Sequence, residues 1–266
     1  MDLEREQNEE NKIVLSSNMI GDIILEDVSF QYGTRKDVFK ELNLTIKKGK
    51  TTAIVGESGS GKTTLFSLLQ HIYPVNKGRI KIGDYDISQI TNKSLRSHIG
   101  TVPQQIELFR GNIIQNIAIG DFNPNIKRIV DLIRSLGLEN FIKGLPQGLN
   151  TQIGEHGASL SGGECQRIAI ARALYKKPDI IMLDEATSSL DTLSEKYVKN
   201  VLDKLRDQGK TIIIIAHRLS TVKSADEIVV FEHGCVAEIG TQKELILQKN
   251  IYYRLWKGQT DEIENS

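Results

Sequence analysis

Apolar positions along this chain switch repeatedly between a period of two residues and a period near 3.6. Leu42-Asn43-Leu44-Thr45-Ile46 alternates apolar and polar side chains, the mark of a strand with one buried face. Thr51 to Val55 is a short β-rich run entering a glycine-rich loop, and Lys62 to Tyr73 then places Leu65, Leu68, Leu69 and Ile72 at helical spacing. Ile80-Lys81-Ile82 followed by Gly83-Asp84 predicts a strand and a turn. From Gly111 to Leu174 the pattern is helical. Pro124 suits a first helical position after Asn123, a good cap, and Ile126, Ile129, Val130 and Ile133 stripe one face. Two continuous apolar runs follow, Ile180 to Leu183 and Ile212 to Ile215, each reading as a buried parallel strand. Between them Val198, Val201, Leu202 and Leu205 mark one side of a helix. Strand, helix, strand is a parallel crossover unit, so the predicted fold class is α/β.

The ends differ from this middle. Residues 1–20 are charged and weakly periodic, predicting a linker with no core face, and 259–266 predict a disordered tail. A length of 266 residues fits one large domain or two closely joined subdomains. With 34 basic and 34 acidic side chains, no charge excess steers the chain toward nucleic acid or an anionic membrane. Cys165 and Cys235 have no metal-like spacing and are expected as free thiols. No apolar run approaches the ~20 residues that span a bilayer, and the acidic start is unlike a signal peptide. The chain as written is expected to be soluble and cytoplasmic.

Candidate chemistry sits in three segments. Gly56-Glu57-Ser58-Gly59-Ser60-Gly61-Lys62-Thr63, with Thr64 next, has the form of a phosphate cradle. Its glycines let backbone N–H groups converge on a polyphosphate, and the following helix adds the positive end of its dipole. Lys62 is expected to reach the β- and γ-phosphates and Thr63 to ligate Mg²⁺. The strand Ile180 to Asp184 ends in a carboxylate that it can deliver to the metal, and Glu185 beside it can orient or deprotonate water. The third segment, Leu160-Ser161-Gly162-Gly163-Glu164, runs into an apolar helix. Ser161 and Glu164 are spaced as a capping box, while Gly162 and Gly163 leave amide donors exposed as a second anion site. No second nucleotide loop exists in the chain to fill it, so its phosphate is expected from another copy.

Together these residues resemble the nucleotide-binding domain of ATP-binding-cassette transporters over roughly residues 22–256, with the motifs in the family's order. The resemblance makes the cradle the Walker A loop, Ile180 to Glu185 the Walker B strand with its catalytic glutamate, and LSGGE the signature, usually LSGGQ. It implies further roles. Ser188-Ser189-Leu190-Asp191 resembles the loop between the two sites of a dimer, with Asp191 a nucleotide-site residue. His217 matches the switch histidine that contacts the γ-phosphate. Gln104 matches the glutamine that senses Mg²⁺ and water, and Tyr32 the aromatic that stacks on adenine. The implied architecture is a P-loop NTPase core with a mainly parallel sheet, an antiparallel β subdomain, and a helical signature subdomain over about 106–168, all within 21–258. The implied cofactors are ATP and Mg²⁺.

Finer details resemble exporters. Thr151-Gln152-Ile153-Gly154-Glu155-His156-Gly157 is similar to the segment of exporter cassettes that touches transmembrane loops, and Leu108 to Ile113 also matches exporter usage. The implied partners are a transmembrane domain, upstream in the same chain, and a second copy closing as an ATP-sandwiched homodimer, with no nucleic acid. That places the domain on the cytoplasmic face of the inner membrane, moving a peptide or bacteriocin-like cargo. Two alternatives stay open: a non-transport ATP switch acting on nucleic acid or ribosomes, and an importer cassette.

Overall fold

The short apolar runs do pair as parallel strands, in a computed structural model that describes residues 11–154, 160–185, 190–216 and 222–264. Strands β1 (Ile23–Gln31) and β2 (Asp37–Ile46) come first. Strand β3 (Thr51–Gly56) then leads through the glycine loop into helix α1 (Lys62–Leu69). After β4 (Lys77–Ile82) and β5 (Tyr85–Asp86) come α2 (Asn92–His98) and β6 (Ile99–Val102). A largely helical arm follows: β7 (Gly111–Asn112), α3 (Ile113–Ile117), α4 (Ile126–Ser135), α5 (Glu139–Gly144), β8 (Gln152–Ile153) and α6 (Gly162–Tyr175). The chain returns through β9 (Ile180–Asp184), α7 (Thr192–Asp207), β10 (Thr211–Ile215), β11 (Glu227–Glu232) and β12 (Cys235–Gly240), then ends on α8 (Gln242–Gln248) and α9 (Ile251–Glu264).

Six strands form one sheet in the order β12-β11-β3-β10-β9-β6, parallel except for β12. A separate antiparallel sheet has the order β2-β1-β4-β5. The period of two then sorts the core. Ala53, Val55, Ile181, Leu183, Ile212 and Ile214 face the arm helices, whereas Ile54, Ile180, Met182, Ile213 and Ile215 face α1 and the antiparallel sheet. Both faces of the parallel sheet are therefore covered, which is why its strands read as unbroken apolar runs. The predicted fold class stands in all three of its parts.

Three boundaries differ from the sequence reading. Helix α1 stops at Leu69 rather than Tyr73, and His71 lies in the left-handed region with φ 51°. Helix α4 starts at Ile126, because Asn125 Oδ1 accepts the amide of Arg128 at 2.9 Å, leaving Pro124 outside the helix. The last helix, α9, spans Ile251–Glu264, past the 259 at which the tail is expected to begin. The amides of Ile251 and Tyr252 donate to the Glu238 carboxylate and fix the first turn of α9. Once a turn exists, each further residue adds a hydrogen bond at little extra cost, without needing an apolar stripe.

The amino-terminal stretch also departs from expectation, since part of it does have a core face. Leu15 and Ile20 are buried, Ile13 bridges to Ile90, and the Leu15 amide donates to Ser94 Oγ at 2.7 Å. Asp179, at the foot of β9, anchors this strap by accepting from Ser17 Oγ (2.8 Å), His98 Nδ1 (2.7 Å) and Lys210 Nζ (2.6 Å). Burial alone would raise the Asp179 pKa, but the bonds from Lys210, His98 and Ser17 outweigh it and hold the carboxyl below its ordinary value. A depressed folded-state pKa stabilises above the unfolded value, about 4, and that contribution is lost as pH falls through the folded value. Asp179→Asn is therefore expected to cost about 1–3 kcal/mol at pH 7, a deficit that narrows in acid. Urea denaturation at pH 7 and pH 3 checks both parts.

Candidate active site

The carboxyl ends of β3, β10, β9 and β6 lie side by side, the edge at which open α/β sheets hold ligands. Register places Asp184 opposite Ile215 and Ile215 opposite Ile54, so the Walker-B-like carboxylate ends level with the entry to the glycine loop. A cavity of about 270 Å³ opens there, and Ser58, Lys62, Thr63, Thr64, Gln104 and Glu185 line it.

Two of the loop's glycines are required by close approach. A Cβ on Gly56 would lie 2.2 Å from the Phe231 carbonyl oxygen, and one on Gly61 would lie 2.6 Å from the Phe39 ring, both at positive φ. Packed this tightly, the loop curls around the Lys62 side chain. Lys62 Nζ donates to the carbonyls of Gly56 (2.8 Å) and Glu57 (2.7 Å), with Ser60 Oγ at 3.5 Å. Burial pushes the Lys62 pKa down, and the charges of Glu185 and Asp184 partly oppose this. The result is a fixed cation at a helix start, suited to a polyanion.

Thr63 Oγ1 donates to Asp184 Oδ2 at 3.2 Å, and Asp184 is buried. Glu185 follows with its backbone in the left-handed region, φ 51°. Its amide donates to the Ile215 carbonyl at 3.1 Å, and its own carbonyl accepts from Gln166 Nε2 at 3.2 Å. Hydroxyl, carboxylate and amide oxygens form the hard donor set that Mg²⁺ takes, and the cradle around Lys62 is shaped for phosphates.

Tyr32 stands beside this site. Its hydroxyl donates to Thr64 Oγ1 at 3.2 Å, and its ring meets Phe30 and Tyr73 edge-on, with centroids 4.8 and 5.2 Å away. Ser161 caps α6 in a complete capping box: its hydroxyl accepts the Glu164 amide, and Glu164 Oε2 accepts the Ser161 amide at 2.8 Å. Neither Ser161 nor the glycines after it line the cavity. Asp191 caps α7, accepting the Ser194 amide at 2.7 Å, a bond that lowers its pKa. His217, Glu155, Ser188 and Ser189 lie outside the described residues.

Two residues escaped the sequence reading. Gln166 is a buried polar side chain on α6, and it reaches the Glu185 backbone as given above. Arg172 ties α6 to the exporter-like turn. Its guanidinium donates to the carbonyls of Asn116 and Glu107 and to Asn116 Oδ1, and it stacks 5.1 Å from the Phe109 ring. Fully buried Asn116 in turn bonds both the amide and the carbonyl of Phe109. Both signals were visible as polar residues interrupting an apolar helix. Arg172→Met should lower stability by about 2–4 kcal/mol, because carbonyls it satisfies lose a charged donor. Thermal or urea denaturation gives the figure.

The family model described as ABC transporter matches residues 39–188. ATP-binding cassette sub-family B member 6 of Mesocricetus auratus is 43% identical over 250 residues, covering 92% of this chain and 30% of that protein. ABC transporter B family member 13 of Arabidopsis thaliana is 45% identical over 251 residues, covering 94% and 20%. A solved structure described as a bacterial Atm1-family ABC exporter with ATP bound matches with a TM-score of 0.89 at 38% identity, over 94% of this chain and 43% of that one. The chain thus spans less than a third of the length of these two curated relatives. Its glycine cradle, paired Walker B acids and capped signature helix sit on a fold shared with an ATP-bound exporter, and the chain belongs to the ABC transporter family as an ATP-binding, ATP-hydrolysing domain of the exporter type.

Proposed function

We propose that two copies of this chain close around two ATP molecules. Each site takes Lys62, Thr63, Asp184, Glu185 and His217 from one copy and Ser161, Gly162 and Gly163 from the other. One observation carries this reading. The cavity holds the cradle and Glu185, with Asp184 bonded to its wall through Thr63, yet the signature helix start, with exposed Ser161 and Gly162, lies outside it. Its amide donors do not line the chain's own phosphate cavity and would serve another polyphosphate.

Mg²⁺, held by Thr63, Asp184 and Gln104, would neutralise charge on the phosphate oxygens. Lys62 holds the β- and γ-phosphates, Tyr32 and Thr64 flank the nucleotide, and Glu185 takes a proton from the attacking water as the bond between the β,γ-bridging oxygen and the γ-phosphorus breaks. Asp191, the cap of α7, belongs to the same dimer face.

Closure would move transmembrane segments attached to each copy, on the cytoplasmic face of a membrane. The described residues contain no helix long and apolar enough to cross one. A reading frame upstream with several ~20-residue apolar spans would support this partner, and its absence would count against export. For the cargo, the LSGGE spelling and the Thr151 to Gly157 segment favour a peptide of bacteriocin type. Vesicles holding the full transporter should then accumulate a bacteriocin-type peptide in an ATP-dependent way.

The shared site itself is tested by sizing Glu185→Gln with and without ATP and Mg²⁺. A monomer that becomes a dimer only with nucleotide is the expected result. An unchanged mass at saturating ATP would remove the basis of the reading.

A further inference from the structure

Gln166 lies five residues after Ser161, on the same helix, α6. At 1.5 Å per residue the two are separated by about 7.5 Å along the helix axis. Gln166 is only 2% exposed, and its Nε2 donates to the Glu185 carbonyl at 3.2 Å. Glu185 needs such support. Its φ of 51° is unfavourable for a residue with a Cβ, so surrounding bonds must hold it there. The Ile215 carbonyl holds the Glu185 amide from the strand side, and Gln166 holds the carbonyl from the helix side.

Helix α6 is also stiff between these points. The capping box closes its first turn, and Arg167 bonds the Gly163 carbonyl and the carbonyls of Leu136 and Gly137. A shift at the signature end therefore carries Gln166 with it. We infer that Gln166 is a positioning residue linking the two nucleotide sites of the dimer: when a partner's phosphate seats on Ser161 to Gly163, α6 sets the backbone of Glu185 in the other site. This rests on the shared-site reading above. Hydrolysis at one site then depends on occupancy of the other through one buried amide.

The test uses the full transporter carrying Gln166→Met, which keeps side-chain length and removes the donor. Turnover is measured against ATP concentration, and nucleotide-driven dimerisation is measured in a Glu185→Gln background. The expected result is a ten- to hundredfold fall in kcat, with KM and dimerisation within about threefold, and a Hill coefficient falling toward 1. Where Gln166→Met does not fold, Gln166→Glu serves. Its carboxylate cannot donate at neutral pH but can once protonated, so its kcat deficit should narrow as pH falls. Unchanged kcat and cooperativity would overturn the inference, as would a loss of dimerisation that parallels the loss of kcat. Failure of Glu185→Gln alone to dimerise with ATP would instead sink the shared-site reading and the coupling with it.

Discussion

Glu185→Gln is expected to lose at least ~10²–10³ in ATP turnover while still binding nucleotide. The substitution keeps size and hydrogen-bonding shape, so the backbone bonds to Ile215 and Gln166 that hold residue 185 at φ 51° can persist. What it removes is a carboxylate able to take a proton, on the wall of the cavity that holds Lys62 and Thr63. Lys62→Ala should lose a comparable amount by another route. The Lys62 ammonium binds the loop's own carbonyls at Gly56 and Glu57, and without it the cradle loses both its charge and the group that closes it. The two variants should therefore separate by ligand binding: Lys62→Ala binds ATP weakly, whereas Glu185→Gln binds it and stalls. Phosphate release at saturating ATP, with equilibrium nucleotide binding alongside, makes the distinction. Turnover of Glu185→Gln within threefold of the parent would defeat the base assignment.

How much of this was legible depended on whether a residue's role is local or tertiary. Ile180 to Leu183 and Ile212 to Ile215 announce buried strands because burial on both faces leaves no polar position to mask. The cradle is legible because its glycines answer clashes that any Cβ would meet, as at Gly56. Ser161 and Glu164 are legible because a capping box is complete within four residues. The strap at Leu15 was not, since its anchors are Ser94, His98 and Asp179, about 80 to 160 residues away in sequence. Gln166 and Arg172 fail for the same reason. Each looks like a polar interruption of an apolar helix until the fold brings Glu185 to one and Asn116 to the other. Asp191 shows the reverse case, a residue whose cap on α7 is plain while the part in a nucleotide site proposed for it would depend on a second copy.

Mixing two inactive variants should restore activity. Gly162→Glu places a carboxylate at the first position of α6, where the helix dipole tolerates it, so the fold should survive. The same carboxylate would repel a partner's polyphosphate, so this variant alone is expected to be inactive, as is Lys62→Ala alone. In a two-fold dimer each site joins the cradle of one copy to the signature of the other, so a mixed pair has one site doubly broken and one wholly intact. With random pairing of equal amounts, about half the dimers are mixed, and turnover should rise to roughly a quarter of the parent's if the intact site runs independently. Without coupling the mixture should exceed either variant alone by at least about tenfold, given losses of ~10²–10³ in each; the ten- to hundredfold fall expected for lost coupling through Gln166 would lower the plateau to roughly 0.25–2.5% of the parent's. The measurement is steady-state phosphate release across a titration of one variant into the other, with a maximum near equal proportions. A flat line at the sum of the two residual activities would mean either that each chain holds its whole reaction centre or that an intact site stalls beside a broken one, and ATP-driven dimerisation of Glu185→Gln separates the two. Without that dimerisation, the signature glycines Gly162 and Gly163 would be a helix cap and nothing more.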